Sequence, residues 1–162
     1  MPEGVKMRLL EMRGMSVSTL IDFVHRHGGI LGPAHPCGEK YLSFTNTKRF
    51  YKSPEIIKRF DFFEVFNACE PEESNKGALK LAMKYKKPGI GGSDAHKLDC
   101  VSMAYTELPE RVTCETELIS LIRSKAPIGV GGTIYGKTTK DKIGKANKLL
   151  VYSFWFYNKG GE

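Results

Sequence analysis

The chain has 162 residues, 41% of them hydrophobic, and this composition excludes wholesale disorder because it suffices for a buried core. Lysine and arginine number 25 against 18 acidic residues, and the resulting net charge of +7 favours anionic partners. No segment approaches the run of about 18 apolar residues that a membrane helix needs. Charged residues also interrupt the stretch from Met1 to Gly14, so we expect neither a membrane span nor a signal peptide.

The cysteines are widely spaced, and none of them forms a CxxC pair. They are Cys37, Cys69, Cys100 and Cys114. In a chain that can bury a core, this usage argues against a disulfide framework and favours a reducing compartment. We therefore expect a cytoplasmic protein with a single domain over 1–162, in which 1–15 and 152–162 are peripheral.

The first predicted element is a helix at about 17–27, because apolar residues recur there at helical spacing and two glycines follow. The short apolar run Ile30 to Ala34 then predicts a buried strand that ends at His35. Together they form a helix followed by a strand.

Similar units follow along the rest of the chain. The predicted elements are a short helix to about Arg59, a strand at 62–67, a helix at 72–86, a strand at 89–92, a helix at 113–125, a strand at 128–131 and a last helix at about 140–151. This alternation predicts an α/β fold with mostly parallel strands. Loops that leave the carboxyl ends of such strands build active sites in α/β folds, so we look there for chemistry.

Two clusters at predicted strand ends carry the strongest chemical signal. His35 lies in Ala34-His35-Pro36, and Asp94 and His96 lie in Gly92-Ser93-Asp94-Ala95-His96. Imidazole nitrogens and a carboxylate are ligands that Zn²⁺, Mn²⁺ or Fe²⁺ accept, and residues two apart in an extended turn can face one centre. The alternative is that His35 packs beneath Pro36 while Asp94 caps a turn. Because both clusters follow strands, the sequence favours a metal site.

These segments resemble a known family. The runs Gly28 to Pro36, Phe63 to Asn67 and Gly92 to His96 are similar, in order and spacing, to the C-terminal half of the PHP (polymerase and histidinol phosphatase) family of metal-dependent phosphoesterases. The resemblance covers about 16–108. It implies a distorted, TIM-like β/α barrel whose strand ends hold as many as two or three divalent metal ions. It also implies hydrolysis of a phosphate ester by water that the metal activates.

The resemblance implies roles for individual residues. His35 matches a ligand of the third family motif, and Asp94 and His96 match ligands of the fourth. Asn67 and Ser93 are expected to contact the substrate or the ligands, with turn formation as the alternative for Asn67. Glu64 is interpreted as structural, and no residue is assigned as catalytic.

The family pattern also includes a His-x-His motif before these segments, and residues 1–15 contain none. The run His25-Arg26-His27 imitates it, but these residues end the first predicted helix, where histidines suit the helix dipole. We therefore expect a fragment or a shortened form of a PHP protein. The alternative is a non-catalytic metal-binding or interaction module on the same scaffold.

The expected partners follow from this interpretation. The substrate would be a phosphorylated small molecule, a nucleotide or a nucleic-acid end, and no membrane is involved. An incomplete barrel leaves an open sheet edge, so we expect a homodimer or completion by a missing N-terminal segment.

A second motif offers a different function. Gly131 to Thr138 satisfies the G-x-x-x-x-G-K-[ST] pattern of a P-loop, in which Lys137 and Thr138 would contact phosphate and Mg²⁺. The bulky pair Ile134-Tyr135 would crowd the phosphate cradle. We therefore favour a glycine-rich turn here over a nucleotide site.

Overall fold

The computed structural model describes residues 3–11, 14–38, 43–95 and 97–135, without the side chains of Glu3 and Leu10. The chain divides into two compact units, one of them 29–136, and each is described by itself. The predicted helix at 140–151 lies outside the described residues. Within those residues, no helix is long and apolar enough to cross a membrane.

The first unit contains helix α1, Glu3–Glu11, and helix α2, Val17–Arg26. Helix α2 begins where predicted because the Ser16 hydroxyl accepts a hydrogen bond from the backbone N–H of Thr19, as an N-cap residue does. Its apolar stripe is buried at Ile21 and Val24. Helix α1 was not predicted.

The His25-Arg26-His27 run ends helix α2, as the sequence predicted. His27 is the C-cap residue, and its Nδ1 lies 2.8 Å from the carbonyl oxygen of Phe23. The two histidines therefore belong to a helix end, which explains the resemblance to a His-x-His motif without a metal site.

The described residues of the unit 29–136 form a mixed α/β structure with two pairs of strands, which confirms the predicted α/β class. Strands β1 (Phe63–Asn67) and β2 (Gly89–Gly92) pair in parallel, whereas β3 (Ala104–Glu107) and β4 (Gly129–Gly132) pair antiparallel. The helices are α3 (Lys48–Lys52), α4 (Glu72–Tyr85) and α5 (Glu115–Ser124), with short 3₁₀ helices at Phe44–Asn46, Pro54–Arg59 and Leu98–Cys100. The described strands are therefore not mostly parallel, and they do not close a barrel.

A side chain joins the two strand pairs. The Thr106 hydroxyl donates to the carbonyl oxygen of Gly91 and accepts from its N–H, both at 3.0 Å. A Cβ at Gly91 would collide with the backbone oxygen of Tyr105, so glycine permits this close approach. Thus β2 and β3 lie side by side without a regular backbone ladder.

The strand predicted at Ile30 to Ala34 is wrong. This segment runs beside β1, because the N–H of Asp61 donates to the Leu31 oxygen and the N–H of Glu64 donates to the Pro33 oxygen. No regular ladder forms there, since Pro33 has no N–H to donate. The segment nevertheless delivers His35 to the carboxyl end of β1.

The core of this unit lies between β1 and α4. Phe63 and Val65 are buried on one face of β1, and Ala78 and Ala82 are buried on α4. The rings of Phe44, Phe60 and Phe63 continue this core through edge-to-face contacts. Helix α4 thus packs against β1, and the last residue of β1, Asn67, lies at the candidate site.

Candidate metal centre

The carboxylate of Glu64 connects three segments at the carboxyl ends of β1 and β2. Its Oε2 accepts a hydrogen bond from the backbone N–H of His35 at 2.6 Å and another from Nδ2 of Asn67 at 2.9 Å. Its Oε1 lies against the backbone of Gly92, where a Cβ would collide with it. One acidic side chain therefore holds the His35 turn, the end of β1 and the end of β2 together.

The pKa of Glu64 responds to two of the predicted ligands. Burial raises the pKa of Glu64, and the charge of Asp94 acts in the same direction. Hydrogen bonds from Asn67 and His35, together with the charge of His35, oppose this rise in pKa. His35 and Asp94 thus both lie within electrostatic range of the Glu64 carboxyl.

His35 occupies a strained turn. Its φ is 31°, which is uncommon for a residue with a side chain, and Pro36 behind it is fully buried. Its Nδ1 lies 3.4 Å from the Ser43 hydroxyl. A hydrogen-bond partner at one ring nitrogen orients an imidazole and leaves the other nitrogen available to bind a metal ion.

A second buried carboxyl group lies near this turn. A Cβ at Gly38 would collide with Oγ of Ser43 and would come within 3.0 Å of Oε2 of Glu70. Glu70 is 6% exposed and Ser43 is 2% exposed. The loop after His35 is therefore packed against polar side chains.

Asn67 is 1% exposed and ends β1. Its Oδ1 accepts from the N–H of Cys69 at 2.8 Å, while its Nδ2 donates to Glu64. A reciprocal pair of bonds ties its backbone to the side chain of Asn75 on α4, at 2.9 and 3.1 Å. Asn67 therefore forms a turn and also contacts the group that holds His35, while its contact with substrate or with metal ligands stays a prediction.

Ser93 and Asp94 follow β2 directly. Asp94 has a φ of 49°, and its Oδ2 is buried. The hydroxyl of Tyr135 donates to the carbonyl oxygens of Ser93 and Asp94, at 2.7 and 2.9 Å. The turn that carries Asp94 is thus held from outside β2 by a residue that sequence analysis did not connect with this site.

The structure brings together four of the five predicted site residues at the ends of two parallel strands. They are His35, Asn67, Ser93 and Asp94. The fifth, His96, lies outside the described residues. Among the residues that are described, no group of three or more histidine, cysteine, aspartate or glutamate side chains is arranged to hold a metal ion.

Residues 72–127 match the family model described as PHP-associated. The match confirms the resemblance to the C-terminal portion of PHP proteins, and it includes Ser93, Asp94 and His96. No curated protein and no solved structure matches the chain significantly.

The P-loop-like segment lies beyond the PHP-associated region. Within its described part, β4 includes Gly131 and Gly132. The N–H of Thr133 donates to the Met103 oxygen, and the N–H of Tyr135 donates to the Ala68 oxygen. These amides are therefore engaged within the protein, whereas a P-loop directs its amides at phosphate. Lys137 and Thr138 lie outside the described residues.

Proposed function

We propose that this chain is the C-terminal part of a metal-dependent phosphoesterase in which His35, Asp94 and His96 bind a divalent metal ion. The observation that carries the proposal is that Glu64 binds the backbone of His35 and lies against Gly92, two residues before Asp94, so both predicted ligands follow the same edge of β1 and β2. Ligands in α/β proteins gather at this edge of a sheet. The PHP-associated match over 72–127 supports a relationship to PHP proteins, and the reaction class is our proposal.

The donor set suits the ion. A carboxylate and two imidazoles are the ligands that Zn²⁺, Mn²⁺ and Fe²⁺ accept, and Asp94 offers a carboxylate oxygen that is buried from solvent. When bound, the ion supplies Lewis acidity toward a phosphate oxygen and a water molecule. Our proposal includes as many as two or three ions in a complete site.

The chain's own residues position these groups. Glu64 holds the backbone of His35, and Ser43 orients the His35 ring by contact at Nδ1. We assign Asn67, which is buried and bonded to Glu64, to ligand support, and Ser93, which precedes Asp94, to substrate contact or ligand support. The net charge of +7 favours approach of a phosphorylated small molecule, a nucleotide or a nucleic-acid end.

Hydrolysis of a generic phosphomonoester, p-nitrophenyl phosphate, tests the proposed reaction. We expect Mn²⁺-dependent release of p-nitrophenol by the wild-type chain, and loss of at least about tenfold in rate in Asp94→Ala. Asp99→Ala, which changes an exposed aspartate in the same loop, is the matched control and should retain activity. Equal rates in the Asp94 and Asp99 variants would contradict the assignment of Asp94.

A non-catalytic metal-binding module is the second candidate. The scarcity of ligands favours it, because three residues can hold one ion but hardly organise several. A chain that binds Mn²⁺ but does not hydrolyse p-nitrophenyl phosphate would support this candidate over the phosphoesterase.

We further infer that the two strand pairs belong to a larger β/α barrel in a cytoplasmic protein. Among the described residues, the two two-stranded sheets leave open edges, which we propose are covered by a second copy of the chain or by an N-terminal segment of the protein. Light scattering at micromolar concentration should show a dimer of this chain. A stable monomer would favour completion by an additional segment.

A further inference from the structure

Tyr135 spans the ends of both parallel strands. Its backbone N–H donates to the carbonyl oxygen of Ala68, just after β1, at 3.0 Å. Its hydroxyl donates to the carbonyl oxygens of Ser93 and Asp94, just after β2. The N–H of Ala68 in turn donates to the Gly92 oxygen at 3.1 Å, which extends the pairing of the two strands to this point. Tyr135 is thus attached to both sides of the strand-end edge.

The Asp94 backbone needs such support. A φ of 49° is in the left-handed region, where an aspartate has a conformational cost that surrounding contacts must offset. The Tyr135 hydroxyl contacts the carbonyl oxygens of both Ser93 and Asp94, so it restrains both peptide groups of the turn. The Tyr135 hydroxyl therefore restrains the backbone from which the Asp94 side chain projects.

The hydroxyl acts as the donor in these contacts. A carbonyl oxygen can only accept a hydrogen bond, so the Tyr135 hydroxyl shares its proton between the oxygens of Ser93 and Asp94.

We propose that Tyr135 is a positioning residue for the metal site: its hydroxyl holds the Ser93–Asp94 turn so that the Asp94 carboxylate can bind a divalent ion. This inference rests on the proposed metal site and adds a residue beyond the PHP-associated region. It also gives a role to the P-loop-like segment, whose tyrosine supports a ligand turn where a P-loop would bind phosphate.

The test is Mn²⁺ binding to the full chain by isothermal titration calorimetry. Tyr135→Phe removes one oxygen and leaves the ring, and we expect it to weaken Mn²⁺ binding about tenfold. Tyr105→Phe is the matched control, because its ring is 54% exposed on the neighbouring strand β3, and it should bind as the wild type does. Asp94→Ala should show the largest loss.

Two further measurements distinguish a positioning role of Tyr135 from a role in fold stability alone. The first is the metal-free melting temperature, with affinity normalised to the folded fraction. If Tyr135 only stabilised the fold, the variant would melt earlier while its folded fraction kept the wild-type affinity. The second is the visible absorption spectrum of bound Co²⁺, which reports ligand geometry and should change in Tyr135→Phe. Incorporation of 4-aminophenylalanine at 135 restores a donor and should recover most of the affinity.

The outcomes distinguish this inference from the function it rests on. Loss of Mn²⁺ affinity in Asp94→Ala with wild-type affinity and spectrum in Tyr135→Phe would overturn the role of Tyr135 and leave the metal site intact. Absence of Mn²⁺ binding by the wild type would overturn both. Loss in both variants, with recovery by 4-aminophenylalanine, supports both.

Discussion

Oε2 of Glu64 accepts a hydrogen bond from the backbone N–H of His35 across 29 residues of sequence, at 2.6 Å. The same oxygen accepts from Nδ2 of Asn67. Glu64→Ala would leave both partly buried donors without this acceptor. We therefore expect the free energy of unfolding to fall by about 1–3 kcal/mol, measured by urea denaturation.

Glu64→Gln separates the hydrogen bonds from the charge. Its amide oxygen can accept the same two donors, so we expect a smaller loss of stability than in Glu64→Ala. Glu73→Ala removes an exposed glutamate from α4 and serves as the control. Equal stability of the Glu64→Ala and Glu73→Ala variants would show that the Glu64 contacts contribute nothing.

The stability of the protein should depend on pH through Glu64. Burial raises the folded-state pKa above the ordinary 4.5, so the folded chain holds this proton more tightly than the unfolded chain. The stabilising contribution is therefore fully present below the unfolded pKa and is lost as pH rises through the raised value. In the presence of a chelator, the stability of the wild type relative to Glu64→Gln should fall as pH rises from the ordinary 4.5 through the raised folded-state pKa. A relative stability that rises over this interval would contradict the direction of the shift.

The reciprocal bonds between Asn67 and Asn75 should stabilise the end of β1. Asn75→Ala leaves a buried N–H and a buried carbonyl of Asn67 without their partners, which costs about 1–3 kcal/mol of unfolding free energy. Asn75→Asp keeps the acceptor and should fall between the wild type and Asn75→Ala. Chemical denaturation measures all three, with exposed Lys80→Ala on the same helix as control. If the Asn75 and Lys80 alanine variants were equally stable, the reciprocal pair would carry no energy.

Local sequence patterns predicted much of the unit 29–136. The strand-forming residues of 62–67 predicted β1, and the helical spacing of apolar residues before Pro88 predicted α4. These elements follow from periodicities of two and 3.6 residues, which nearby residues alone establish. Pro33 shows the limit of such patterns. The apolar run Ile30 to Ala34 predicted a strand, but Pro33 has no N–H to donate to a backbone ladder.

The parts that sequence missed depend on long-range contacts. Strand β3 was not predicted, and its link to β2 depends on the Thr106 hydroxyl, which no periodic pattern marks. Glu64 was interpreted as structural, but its bond to His35 spans 29 residues. Tyr135 reaches Asp94 across 41 residues from a segment whose pattern suggested another function. Only the fold brings these groups together.

The metal content of purified protein tests the central claim most directly. Wild-type chain purified without chelator should hold about one or more divalent ions per chain by elemental analysis, and the variant with His35, Asp94 and His96 all changed to alanine should hold none. A variant with His25 and His27 changed to alanine is the matched control, because these histidines end α2, and it should keep the wild-type content. Equal metal content in the wild type and the triple variant would contradict the assignment of His35, Asp94 and His96 as metal ligands.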